Sequence, residues 1–127
     1  MSLTKVNTSK APAAVGPYSQ AIIAGDFVYV SGQLPMDPKT GKLLTGSVKE
    51  QTKKSLENAK AILVEAGATL DNVVKTTVFL QKMGDFADMN EVYGEFFIDH
   101  KPARAAIEVA KLPLGADVEI QMVAYLK

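Results

Sequence analysis

The sequence predicts an α+β fold in which two helices pack on one face of a mixed β-sheet. Two segments have the apolar spacing typical of helices, and five have the composition or alternation typical of strands. They follow one another in the order β-β-α-β-α-β-β. Two helices are too few to cover both faces of such a sheet, so one face should remain uncovered.

Length and composition predict one domain over residues 1–127. The chain is 47% apolar, and its 14 basic side chains balance its 14 acidic ones, which gives no electrostatic reason to bind nucleic acid or an anionic membrane. It has no cysteine and one histidine, so we expect no disulfide and no metal site. That histidine, His100, is interpreted as an exposed loop residue. No targeting segment or membrane span is apparent, which favours a cytoplasmic location.

The first elements follow a loop or arm of small residues and proline, "APAAVGPYSQ". The segment "AIIAGDFVYVSGQLP" then predicts a hairpin around Gly25 and Asp26, because two β-rich runs flank these turn residues. The turn-rich segment "MDPKTGKLL" should cross the surface.

Capping patterns place both helices. Ser47 and Glu50 match a capping box, and Gly67 suits a left-handed stop, so the first helix should lie between them. The second helix should run from about Asp85, as its N-cap, to about Ile98. Apolar side chains along one side of it are interpreted as core packing: Phe86, Met89, Tyr93, Phe96 and Phe97.

The remaining strands are "NVVKTTVFLQ", between the helices, and "ARAAIEVA" and "VEIQMVAYL" at the end. Alternation in the last strand should place Ile120 under the helices and Glu119 on the uncovered face. In the strand before it, we expect Ile107 under the helices and Arg104 on the same surface as Glu119. The uncovered face would mix polar and apolar groups, which suits a subunit interface.

Several motifs carry a family resemblance. The segments "GPYSQAI", "VYVSGQLPMDPKTG", "FADMNEVYGEFF" and "PARAAIEVAKLP", the last followed by "DVEI", together resemble the RidA/YjgF family of enamine/imine deaminases. The resemblance runs from about Val6 to the C-terminus. It implies a chorismate-mutase-like fold and a homotrimer whose sheets form a central barrel, with clefts between neighbouring subunits.

The resemblance also implies a reaction. Family members hydrolyse 2-aminoacrylate-type enamines, or imine tautomers such as 2-iminobutanoate and 2-iminopropanoate, to 2-keto acids and ammonia without a cofactor. Arg104 matches the family's substrate-binding arginine, whose guanidinium can grip a carboxylate with two parallel hydrogen bonds. The alternative for Arg104 is a surface or interface ion pair, for example with Glu108 or Glu119. Glu119 falls at the position of the water-activating glutamate.

The other candidate substrate-binding residues follow from the same resemblance. Tyr18 matches a pocket tyrosine, whose hydroxyl could bond the substrate or whose ring could pack the arm against a neighbour. Ser31 and Gly32 belong to "SGQ", where the glycine backbone would approach the ligand or form a β-bulge. Asn90 matches an asparagine of the second-helix motif, for which a structural role is favoured. Ala106 stands where many members have cysteine, so this chain has no thiol at that position.

Three classes of function remain open at this point. The first is the deaminase, and the second is a non-catalytic trimer that binds ligands or acts as a chaperone. The third is an endoribonuclease, which the neutral charge, the absence of a basic run and the single histidine disfavour.

Overall fold

The computed structural model describes residues 2–127, and this part of the chain forms one mixed sheet with two α-helices. The helices are α1 (Val48–Glu65) and α2 (Phe86–Phe96). The strands are β1 (Leu3–Val6), β2 (Ala21–Ala24), β3 (Phe27–Gln33), β4 (Val73–Leu80), β5 (Ala103–Glu108) and β6 (Val118–Tyr125). They lie in the order β1-β2-β3-β6-β4-β5, where β4 and β5 are parallel and the other pairs antiparallel.

The predicted element order is confirmed, apart from β1, which the sequence reading missed. This strand has four residues, and only Val6 among them is buried. A strand with one buried side chain carries no alternation from which it could be recognised. It pairs antiparallel with β2 at the edge of the sheet.

The capping box of α1 is confirmed. The Glu50 backbone N–H donates to Ser47 Oγ, and the Ser47 backbone N–H donates to the Glu50 carboxylate, both at 3.2 Å. Such an N-cap stabilises a helix by about 1 kcal/mol. Beyond the other end of the helix, Gly67 has a φ of 88°, as expected of a left-handed stop. Neither helix within residues 2–127 is long and apolar enough to cross a membrane.

Helix α2 differs from expectation at both ends. Asp85 occupies the N-cap position, but its side chain makes no capping hydrogen bond, because a short 3-10 turn (Met83–Asp85) precedes the helix. The helix ends at Phe96, two residues before the predicted Ile98, since Phe97 leaves helical geometry. The aromatic side does pack into the core, as predicted, with Met89, Tyr93 and Phe97 buried.

One predicted face assignment is wrong. Arg104 pairs in register with Thr76, and Thr76 pairs with Met122, whose side chain is buried under the helices. Arg104 therefore lies on the helix-covered face, whereas Ile107 lies on the other face and is 44% exposed. Alanines occupy both faces of β5, so the strand offers little hydrophobic contrast, and its one large apolar residue points away from the core.

The sheet face opposite the helices, hereafter the open face, carries exposed aromatic rings as well as Glu119. The ring centroid of Phe27 lies 5.2 Å from that of Tyr125 and 6.4 Å from that of Tyr29. All three side chains are more than one-third exposed. The open face mixes polar and apolar groups, as the sequence predicted, whereas its role as a subunit interface stays a prediction.

Candidate functional site

The predicted site residues fall into two separate groups, and the first surrounds Arg104. Its Nη1 donates to Asn90 Oδ1 of α2 at 2.7 Å. Its guanidinium carbon lies 4.7 Å from the ring centroid of Tyr93 and 5.4 Å from that of Phe86. Guanidinium groups are attracted to aromatic faces at these distances, so α2 holds Arg104 through three contacts.

Tyr93 is itself fixed in place. Its hydroxyl and Thr76 Oγ1 share a buried hydrogen bond of 2.7 Å. Burial raises the pKa of Tyr93 above its ordinary value, and the Thr76 hydrogen bond and the Arg104 charge oppose this only in part. The ring beside Arg104 therefore stays a neutral phenol at physiological pH.

Within the part of the chain that the structure describes, no carboxylate forms an ion pair with Arg104. The ion pairs within residues 2–127 join Lys49 to Glu91, Lys54 to Glu57 and Lys127 to Asp26, and none includes Arg104. The alternative of a surface ion pair with Glu108 or Glu119 is therefore wrong within residues 2–127, whereas an ion pair across a subunit interface stays a prediction. Glu108 instead accepts from the backbone N–H of Met83 at 2.7 Å.

Arg104 borders a cleft of about 430 Å³ between α2 and the start of β5. Ala106 lies on the same face of β5 as Arg104, paired with Val78, and is half-buried. We call this first group the arginine half-site. It consists of Asn90, Arg104 and Ala106, with the rings of Phe86 and Tyr93 behind the guanidinium.

The second group surrounds Glu119 on the open face. Its carboxylate is half-buried, and burial raises the pKa of Glu119 above the ordinary value with no neighbouring charge to oppose it. A carboxylate of this kind is a better proton acceptor than an exposed one, because its conjugate acid is more stable.

Gly32 makes room for this carboxylate. The pairing of β3 with β6 slips between Val30 and Gln33, so Ser31 and Gly32 form a β-bulge, one of the two alternatives left open by the sequence. A Cβ atom on Gly32 would stand 2.1 Å from Glu119 Oε2, closer than any real contact. A larger residue at position 32 and the observed Glu119 position exclude one another.

Ser31 and Tyr18 complete the second group. The Ser31 hydroxyl donates to the Ser19 carbonyl at 2.6 Å, which ties the arm that carries Tyr18 to β3. Tyr18 is 53% exposed and shares a small concavity of about 50 Å³ with Gly32. We call Tyr18, Ser31, Gly32 and Glu119 the glutamate half-site.

The two half-sites lie on opposite faces of the sheet, so one chain does not bring Arg104 to Glu119. Phe86 and Tyr93, predicted from the sequence as core residues only, also contact the guanidinium of Arg104. Their spacing offered a signal, because Phe86, Asn90 and Tyr93 recur at intervals of four and three on one side of a helix.

His100 is not the exposed loop residue that was expected. It is half-buried, and its Nε2 lies 2.5 Å from the carbonyl oxygen of Val73, which fastens the loop before β5 to the start of β4. Residues 2–127 contain no cluster of three or more acidic or histidine side chains that could hold a metal ion.

The chain is similar to known proteins of one family. The family model described as Endoribonuclease L-PSP matches residues 8–126. A RutC family protein of Pyrococcus abyssi is 56% identical over 93% of this chain and 93% of its own length. The human 2-iminobutanoate/2-iminopropanoate deaminase is 49% identical over 94% of this chain and 87% of its own.

Solved structures give the same result. The structure of E. coli TdcF with bound serine superposes with a TM-score of 0.92 at 42% identity, over 96% of this chain and 98% of that one. The chain therefore belongs to the Endoribonuclease L-PSP family, which is the RidA/YjgF family that its sequence motifs indicate.

Proposed function

We propose that this protein hydrolyses small 2-imino acids, formed from 2-aminoacrylate-type enamines, to 2-keto acids and ammonia. The observation that carries the proposal is that Arg104 is held in position but has no acidic partner within residues 2–127. Its guanidinium is held by Asn90 and two aromatic rings, faces a cleft, and has no carboxylate partner within residues 2–127. A positioned cation without a partner suits the carboxylate that every 2-imino acid carries.

Arg104 would bind and orient the substrate. One nitrogen of its guanidinium is used by Asn90, and the remaining donors can form a bidentate pair with the substrate carboxylate. The rings of Phe86 and Tyr93 limit its rotation, so the entropy lost on binding is smaller than for a free arginine. Serine, the ligand in the TdcF structure, also carries a carboxylate next to a carbon–nitrogen bond.

Glu119 would handle the protons. Its raised pKa suits a group that accepts a proton from water as the water oxygen bonds to the imine carbon. The same carboxyl would return that proton to the imine nitrogen, which gives a neutral carbinolamine, and would then carry the hydroxyl proton of the carbinolamine to its nitrogen. The carbon–nitrogen bond then breaks, ammonia leaves, and the carbon becomes the carbonyl of the 2-keto acid. Every atom of the products comes from the imine and one water.

We further propose that each complete site forms between two chains of a homotrimer. Arg104 and Glu119 lie on opposite faces of one chain, so the substrate would contact the arginine half-site of one subunit and the glutamate half-site of its neighbour. The exposed aromatic cluster of the open face supports an assembly in which this face is covered. Closing a ring of identical head-to-tail contacts would complete every site.

The name of the human relative supports the substrate class, since it specifies 2-iminobutanoate and 2-iminopropanoate. The test is a coupled assay in which a serine or threonine dehydratase generates the imine in the presence of this protein. We expect faster release of ammonia and keto acid with wild-type protein than with Arg104→Ala. If wild type does not accelerate release, the protein is not a deaminase of these imines.

The same experiment distinguishes the deaminase from a non-catalytic trimer that only binds ligands. In that case, the protein would bind 2-keto acids through Arg104 without accelerating imine hydrolysis. Calorimetric titration with 2-oxobutanoate, run beside the kinetic assay, measures that binding directly.

A further inference from the structure

The arm between β1 and β2 is held by one buried glutamine, Gln20, which directly follows it. This arm, residues 7–19, contains no helix or strand, and Ala11 is its one buried residue. A segment with so little burial has few contacts that fix its path. The arm nevertheless carries Tyr18 of the glutamate half-site, so the location of Tyr18 depends on how the arm is held.

The side-chain amide of Gln20 is bonded to the backbone of the arm and is 2% exposed. Its Oε1 accepts from the Thr8 N–H at 2.7 Å, and its Nε2 donates to the carbonyls of Thr8 at 3.0 Å, Pro12 at 2.8 Å and Ala11 at 3.4 Å. Nε2 has two N–H groups for three carbonyls, so the longest contact, to Ala11, is a shared one. The amide thus pairs with the arm much as a neighbouring strand would.

The backbone of Gln20 is tied in turn to β3. Its carbonyl accepts from the Ser31 N–H at 2.9 Å, and the preceding Ser19 carbonyl accepts from the Ser31 hydroxyl at 2.6 Å. The side chain of Gln20 therefore holds the start of the arm, while these two bonds hold its end. Residues 13–18, with Tyr18 among them, form a short loop that Gln20 closes at its base.

The ring of Tyr18 is placed by this loop. The Tyr18 side chain is half-exposed, and its backbone N–H donates to the Gly16 carbonyl at 2.8 Å in a tight γ-turn. Tyr18, Gln20 and Gly32 border the same small concavity. Because an exposed ring moves with the backbone that carries it, release of the base of the loop would displace Tyr18 from the glutamate half-site.

We propose that Gln20 is a positioning residue for the deaminase site, and that its amide sets the location of Tyr18 by closing the base of the arm. This inference rests on the proposed function, with Tyr18 as a substrate-binding residue. Gln20 acts through the backbone of Thr8 and Pro12 and does not touch the substrate. Since four hydrogen bonds converge on its amide, one substitution releases the base of the loop.

The first experiment measures opening of the arm. Gln20→Met keeps an unbranched side chain but cannot replace the amide hydrogen bonds. Trypsin cleavage after Lys10, followed by mass spectrometry, requires an open arm because the next residue, Ala11, is buried. We expect cleavage of Gln20→Met to be about tenfold faster than that of wild type, from the loss of buried hydrogen bonds. The matched control, Gln81→Met, loses amide bonds to the loop after β5 and should be cleaved at the wild-type rate.

The second experiment separates positioning from a purely structural role. We expect Gln20→Met and Tyr18→Phe each to lower kcat/KM for 2-iminobutanoate about tenfold, the effect of one lost hydrogen bond to the substrate. The double variant should lose no more than either single variant, because both changes remove one contact. Losses that multiply, or an unchanged rate in Gln20→Met, would overturn the proposal.

A second variant guards against misfolding. Gln20→Glu keeps the acceptor for the Thr8 N–H but brings a carboxylate against carbonyls, so it should open the arm and lower kcat/KM as Gln20→Met does. Both variants should fold, because the arm contributes only Ala11 to the hydrophobic core and the helices and sheet pack without it. Wild-type cleavage and activity in Gln20→Glu would contradict the proposal.

Ligand protection gives a readout that needs no turnover. If closure of the arm strengthens ligand binding through Tyr18, the ligand must favour the closed arm by the same factor. We expect 2-oxobutanoate to slow cleavage after Lys10 in wild type but not in Tyr18→Phe. No difference between these two proteins would contradict the inference, whereas the expected difference without imine hydrolysis would contradict only the deaminase.

Discussion

Replacing Gly32 with alanine tests whether the position of Glu119 matters for turnover. The added Cβ would lie 2.1 Å from Glu119 Oε2 and 2.9 Å from its carboxyl carbon. Ordinary contacts begin at 3.4 Å, so the carboxylate oxygen must move by more than an ångström. A displacement of about 1 Å at a reacting group can cost about 100-fold in rate. That loss corresponds to about 2.7 kcal/mol of barrier.

The assay is the coupled dehydratase reaction, with kcat and KM measured separately. We expect kcat to fall about 100-fold in Gly32→Ala. KM should change little, because the carboxylate anchor Arg104 lies in the other half-site. The matched control is Gly84→Ala, since a Cβ at Gly84 would meet nothing within 4 Å and its φ is not positive. Melting curves and mass determination would confirm that both variants fold and assemble alike.

A double variant decides the cause of the loss. If Gly32→Ala acts by displacing Glu119, adding it to Glu119→Gln should cost almost nothing more, because the two changes remove one function. Losses that multiply would mean that Gly32 contributes in its own right, for example through a backbone contact to the substrate. Full activity in Gly32→Ala would refute the idea that the observed position of Glu119 is the one used in turnover.

Three further predictions concern the two half-sites. Arg104→Ala should nearly abolish activity, and Arg104→Lys should resemble it, with a loss of about two decades in kcat/KM for each variant. The reason is that the ammonium of lysine lacks the planar, two-pronged guanidinium that binds a carboxylate through two parallel hydrogen bonds. A rate for Arg104→Lys near that of wild type in the coupled assay would exclude bidentate binding. Tyr93→Leu should lower kcat/KM about tenfold by removing a ring from behind the guanidinium, while Tyr93→Phe keeps the ring and should stay within about threefold. Glu119→Gln should lose turnover yet raise Tm at pH 7 to 8, because it removes a half-buried charge. Because the pKa of Glu119 is raised in the folded protein, the stability that this side chain contributes is lost as pH rises from the ordinary glutamate pKa through the raised one. The difference in Tm between Glu119→Gln and wild type should therefore vanish in acid. A lower Tm for Glu119→Gln than for wild type at neutral pH would contradict the direction of the pKa shift.

The sequence predicted most of the fold because local signals agreed with global packing. The capping box at Ser47 and the left-handed Gly67 bound the first helix, and the hairpin residues Gly25 and Asp26 separate β2 from β3. Alternation located the buried face of β6, where four buried apolar residues alternate with a more polar and more exposed set. These signals are strong since each depends on residues close in the chain.

The face assignment of β5 could not be recovered in the same way. Arg104 remains exposed on the helix-covered face, where the aromatic rings of α2 and the amide of Asn90 hold its guanidinium. Those contacts join residues distant in sequence, and no local pattern of β5 contains them. The resemblance of the sequence motifs to the family identified the candidate site residues. Which face of the sheet each residue lies on became clear only from the register of the strands in the structure.

The space over Gly32 is a second feature that sequence reasoning described only in part. Both a bulge and a close approach were anticipated, and the bulge is present. The group that approaches Gly32 within this chain is the Glu119 carboxylate rather than a ligand. This coupling arises from the pairing of β3 with β6, whose partners are separated by most of the chain.

The most direct test of the central claim is complementation between two inactive chains. Arg104→Ala and Glu119→Gln are unfolded together, refolded as a mixture of equal amounts, and assayed beside each variant refolded alone. If a site takes Arg104 from one subunit and Glu119 from its neighbour, about one quarter of the sites in randomly mixed rings are intact, and about one quarter of wild-type activity should return. Activity no higher than that of the separate variants would show that both residues act within one chain, and the division into two half-sites would be wrong.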